Sequence, residues 1–148
     1  MRTLAISFVL TTVMGFGQPT CQSVGGTAGT NFISQTSTAG TTTGDLKGVI
    51  GVTVLSVSPG QNGSLLFHNH HYWVLDSGDL LFFADADATA FPTPISGFDA
   101  LVYTDGVKVV GGTGKYVGAT GKLTFQGAVD TTKGQIVLRY SGQICSGE

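Results

Sequence analysis

An all-β domain, built as an antiparallel sandwich or a closed barrel, is what this sequence predicts, and three observations predict it. Apolar, β-branched and aromatic residues gather into strand-like runs at 45–57, 64–75, 80–91, 101–110, 117–129 and 135–144. Turn residues separate them at Pro59-Gly60-Gln61-Asn62-Gly63, Ser77-Gly78, Asp105-Gly106 and Thr131 to Gly134. The composition agrees: 23 of 148 residues are Gly and only 11% are charged, and no window beyond the N-terminus has a helical amphipathic period. Six or more strands with short connections suit a sandwich or barrel.

The N-terminus reads as a leader. Met1-Arg2-Thr3 places one positive charge before the apolar run from Leu4 to Phe16, and Gly15 and Gly17 offer small residues for cleavage before Gln18. Those are the parts of a signal peptide over 1–17, and the run is short for a bilayer span. The expectation is a secreted protein, extracellular or periplasmic, free of the membrane once the leader is removed. Seven Lys and Arg are scattered along the chain, with no cluster to track a phosphate backbone, so nucleic acid is not an expected partner. In an exported chain the only two cysteines, Cys21 and Cys145, read as one disulfide joining the termini. By chain entropy, closing such a loop contributes about 4–5 kcal/mol.

Residues 18–44 are rich in Gly, Ser, Thr and Ala, with Phe32 and Ile33 the bulkiest residues to bury, and read as a flexible arm with one edge strand near 31–37. The barrel or sandwich domain is then expected over 45–148. Its last hairpin is the clearest. Leu123, Phe125 and Val129 alternate with polar neighbours, as do Ile136, Leu138, Tyr140 and Ile144 on the return strand, giving one buried and one wet face. Asn62-Gly63-Ser64 forms a glycosylation sequon on a predicted loop.

All three histidines lie in Phe67-His68-Asn69-His70-His71-Tyr72-Trp73. If Ser77-Gly78 is a two-residue hairpin turn, His70 lies opposite Asp85 and His68 opposite Asp87, on a face with Leu66, Tyr72, Leu81 and Phe83. Two imidazoles and two carboxylates are donors that a zinc-type ion takes. The opposite face is far more apolar: Leu65, Phe67, Trp73, Leu75, Leu80, Phe82 and alanines 84, 86, 88 and 90. Burial should claim that face, which leaves exposed His–Asp pairs and no metal on the other. Asn69 and His71 are then the polar residues inside. A buried imidazole beside an amide can orient a ligand or move a proton, and the alanine row leaves room for one.

The stretch Val109-Val110-Gly111-Gly112-Thr113-Gly114-Lys115-Tyr116-Val117-Gly118-Ala119-Thr120-Gly121 is not a phosphate loop. A Walker loop needs Gly where Val109 stands and Ser or Thr where Tyr116 stands, and Val117 fills the third Gly slot of a GxGxxG. It resembles instead the GGTG-x-[aromatic]-x-x-A-x-G signature of allene oxide cyclases and dirigent proteins, and the order of strands over roughly residues 44–145 is similar to theirs. The resemblance implies an eight-stranded antiparallel closed barrel with a ligand cavity, and a homo-oligomer, dimer or trimer. At Thr120 the relatives carry a pocket Arg or Tyr, so the resemblance does not extend to their chemistry.

Together these readings anticipate a barrel that binds a small, mostly apolar molecule and steers its cyclisation or isomerisation without a cofactor. His71 is the candidate for proton transfer, Asn69 and Tyr140 are the polar contacts, and Trp73, Phe82 and Phe125 are the walls. The alternative is a non-catalytic extracellular protein whose barrel is filled by its own side chains.

Overall fold

The computed structural model describes residues 19–146, so the predicted leader over 1–17 lies outside the described residues. Ten strands follow one another: β1 (Cys21–Phe32), β2 (Ser37–Thr42), β3 (Gly48–Pro59), β4 (Leu65–Leu75), β5 (Leu80–Phe83), β6 (Ala86–Pro92), β7 (Phe98–Val102), β8 (Val107–Gly112), β9 (Thr120–Asp130) and β10 (Gln135–Cys145). Each pairs antiparallel with its neighbours, and β10 returns to β1, closing the sheet. β5 and β6 both pair with β4, end to end, and β7 and β8 both pair with β9. Ten strands thus make eight staves, two of them interrupted: an eight-stranded antiparallel closed barrel.

Two staves correct the sequence reading. Of the predicted arm over 18–44, the described residues 19–44 are not flexible: β1 and β2 are full members of the barrel, and β1 pairs with β10 from Cys21↔Cys145 to Asn31↔Gln135. Their small residues serve close approach. A side chain at Gly26 would meet the Thr43 carbonyl and the Tyr140 ring, and one at Gly40 the Gly29 carbonyl. The predicted Cys21–Cys145 disulfide is present and ties this first strand to the last.

The turn after β4 is the second correction. Leu75 N–H donates to Asp79 O and Gly78 N–H to Leu75 O, with Gly78 at φ 86, so the turn holds residues 76–78 instead of two. The added residue shifts the register by one. Tyr72 faces Phe82 and Val74 faces Leu80, which turns Leu81 and Phe83 inward and Leu80 and Phe82 outward. Between β5 and β6, Ala84 and Asp85 break the ladder and restore the expected register, with His68 opposite Asp87 and Ala86, Ala88 and Ala90 buried.

One end of the barrel is sealed by a 3-10 turn at Gly44–Leu46. Leu46 is buried, its N–H donates to the Tyr140 hydroxyl (2.9 Å), and that hydroxyl donates to Thr43 O (2.7 Å). Trp73 Nε1–H is shared between Thr42 Oγ1 and Leu46 O, both at 3.1 Å. The connection from β8 to β9 carries the Gly-rich stretch. Gly114 sits at φ 54 where a side chain would strike the Asp79 carboxylate, so glycine is needed for both conformation and space.

Candidate functional site

Midway along the barrel axis three polar side chains meet among aromatic rings. Asn69 and His71 point inward from β4, as their parity with buried Trp73 and Leu75 requires, and Tyr103 enters just past β7. Asn69 Nδ2 donates to the Tyr103 hydroxyl at 3.1 Å, and His71 Nε2 lies 2.9 Å from that hydroxyl. His71 packs against Tyr103, Phe83 and Phe125, with ring centroids 5.2, 6.2 and 6.4 Å away. Burial, reinforced by His70 and opposed by Asp85, lowers the His71 pKa to about 4, so its imidazole is neutral at pH 7. Burial pushes the Tyr103 phenol above the ordinary tyrosine range, against the opposing effect of the Asn69 hydrogen bond.

The trio is not satisfied internally. Among the described residues, Asn69 Oδ1, His71 Nδ1 and Thr38 Oγ1 are buried without a hydrogen-bond partner. Neutral His71 carries one N–H. If Nε2 accepts from Tyr103, the buried Nδ1–H is unpaired; if Nε2–H donates, the Tyr103 proton is released from that bond. Either tautomer leaves one donor over. Such groups each cost about 1–3 kcal/mol when nothing meets them.

Above the trio, toward the end opposite the seal, lies a cavity of about 80 Å³. Its walls are apolar, from Phe32, Val52, Val54, Phe67, Leu101 and Leu138 among others, and its polar side chains are Thr38, Asn69 and Tyr103. No charged residue lines it. Below the trio, Trp73, Phe125 and Tyr140 interlock at centroid separations of 5.2 to 6.2 Å and fill the barrel down to Leu46.

The structure therefore divides the predicted site. Asn69 lines the cavity, and His71 stands behind Tyr103. Phe125 belongs to the packed core beneath them. Trp73 and Tyr140 do not line this cavity, and their polar atoms are used to close the sealed end. Phe82 is not a wall: the shifted turn leaves it 46% exposed on the outside. Thr120, the expected pocket position of the resemblance, is also exposed. Tyr103 and Thr38 were missed. The parity of Tyr103 with inward Leu101 could have revealed it; Thr38 lay in the stretch read as an arm.

On the outer wall His68 Nδ1 is 2.7 Å from Asp87 Oδ1 and His70 Nδ1 is 2.5 Å from Asp85 Oδ1. The predicted pairs form, half-exposed, and His68 Nε2 also lies 3.9 Å from Asp85 Oδ2. Among the described residues no group of three or more His, Cys, Asp or Glu is arranged to hold a metal ion.

The fold and site define a closed antiparallel barrel, sealed at one end, with a small polar-floored cavity toward the other. No family model matches the chain, and no curated protein matches it. Among solved structures it is similar to a pterocarpan synthase dirigent protein, at 16% identity and a TM-score of 0.38, over 97% of this chain and 98% of that one. A likeness of that size is one of outline, and the fold and site rest here on the chain's own strands and side chains.

Proposed function

We propose that this protein is a secreted barrel that binds a small, mostly apolar molecule in the cavity above Asn69 and Tyr103. The observation that carries the reading is the group of unpartnered buried polar atoms beside an apolar cavity. A polar trio in such surroundings is costly unless something completes it. The disulfide suits an oxidising compartment, in line with the predicted leader.

Chemistry at this site would be cofactor-free. Tyr103 is the group positioned to touch a ligand, and neutral His71 behind it hydrogen-bonds its hydroxyl and fixes its orientation. An isomerisation or cyclisation steered by shape, with one proton held at the Tyr103 oxygen, fits that arrangement and the exclusion of water by the apolar walls. With about 80 Å³ to fill, roughly half of the 150 Å³ that holds a benzene ring, the cavity takes the end of a short chain, well short of the roughly 300–1,000 Å³ of drug-sized sites.

A second reading is favoured by the outer wall, where Val49, Val74, Tyr72 and Phe82 are exposed side by side on paired strands. There the protein would act through its exterior, as a homo-oligomer or a binding partner. One experiment separates the two. In an NMR titration with small neutral cyclic and acyclic compounds, the first reading expects amide shifts at Val52, Leu101 and Leu138, abolished by Val54→Trp, which blocks the cavity. Shifts confined to the Tyr72–Phe82 wall, or none for any compound, would reject it.

A further inference from the structure

The unpartnered atoms also specify the ligand's polar group. Asn69 Oδ1 can only accept a hydrogen bond, and its amide nitrogen already donates to Tyr103. Thr38 lines the same cavity, and its buried, unpartnered hydroxyl can donate or accept. No lining side chain carries a charge, and the nearest imidazole is held neutral behind Tyr103. An anion would therefore enter an apolar, uncharged site without a counter-ion, which is strongly unfavourable. A ketone or ether would bring only an acceptor and leave Asn69 Oδ1 unmet.

Resting on the reading of this cavity as a ligand site, we infer that it selects neutral molecules with a hydroxyl group. The hydroxyl enters first, its O–H donating to Asn69 Oδ1 and its oxygen accepting from the Thr38 hydroxyl. The apolar body lies against Val52, Val54 and Leu101. Discrimination of this kind is large because the buried acceptor in the protein is left unpaired by the wrong ligand.

The test is an NMR titration of the disulfide-bonded protein at pH 7 with 2-hexanol, 2-hexanone and hexanoate, which share one carbon skeleton length. The expected order is 2-hexanol about tenfold tighter than 2-hexanone, with hexanoate weakest, as one buried hydrogen bond predicts. Asn69→Leu should bring 2-hexanol down to the level of 2-hexanone while changing the 2-hexanone affinity less than twofold. Thr38→Val gives the same comparison, with a smaller loss, if Asn69→Leu fails to fold. Equal or tighter binding of the ketone, or tightest binding of hexanoate, overturns the hydroxyl selectivity and leaves the cavity as a ligand site. Binding of none of the three overturns both.

Discussion

His71 has a consequence for stability that can be measured without knowing any ligand. Its folded pKa is about 4, against an ordinary 6.5, because burial disfavours the imidazolium. The unfolded chain binds the proton more readily, so the contribution is complete above pH 6.5 and is lost as pH falls from 6.5 toward 4. At 1.36 kcal/mol per unit the loss approaches about 3 kcal/mol, a large share of a typical domain stability of about 5–15 kcal/mol. Denaturant melts at pH 7 and pH 4 should show the native protein losing about 3 kcal/mol more than His71→Phe. An equal loss in both would mean that the imidazole is not buried neutral.

Among the elements, the β4–β5 turn decides which side chains build the core. A turn holding residues 76–78 buries Leu81 and Phe83; a turn of two would bury Leu80 and Phe82 instead. Gly78→Ala, strained at φ 86 but with open space around it, should cost about 1 kcal/mol. Phe83→Ala should cost about 3–5 kcal/mol in a thermal melt and Phe82→Ala far less, because only Phe83 lies inside. An equal or larger loss for Phe82→Ala would contradict the register. The same turn marks how far the sequence could be read. β6, β9 and β10 alternate cleanly, and their inward residues were legible: Ala86, Ala88 and Ala90, then Leu123 and Phe125, then Leu138 and Ile144. Leu80-Leu81-Phe82-Phe83 is apolar on both faces, so pattern alone could not choose between them. β1 and β2 were illegible for another reason: they are held by β10 and β3 on either side, not by large apolar side chains of their own. Of the site, Asn69 and His71 were readable from parity with Trp73, but their link through Tyr103 depends on a strand distant in sequence.

Taken whole, the barrel has two unlike halves. Toward the seal, Trp73, Tyr140, Phe125 and Leu46 fill the interior and their polar atoms are paired. Toward the other end, the turns at 33–36, 60–64 and 131–134 surround a stretch where the interior narrows to apolar walls over a floor of Asn69 and Tyr103. The disulfide between Cys21 and Cys145 closes a chain separation of 124 residues and joins the first stave to the last, where the barrel would otherwise depend on strand pairing alone. This asymmetry, a sealed floor and a receptive cavity, is the central claim. Its most direct test is a crystal structure of the protein with 2-hexanol. The claim predicts ligand density between Val52, Leu101 and Leu138 with its oxygen on Asn69 Oδ1; side chains filling that space, or density only on the outer wall at Tyr72 and Phe82, would contradict it.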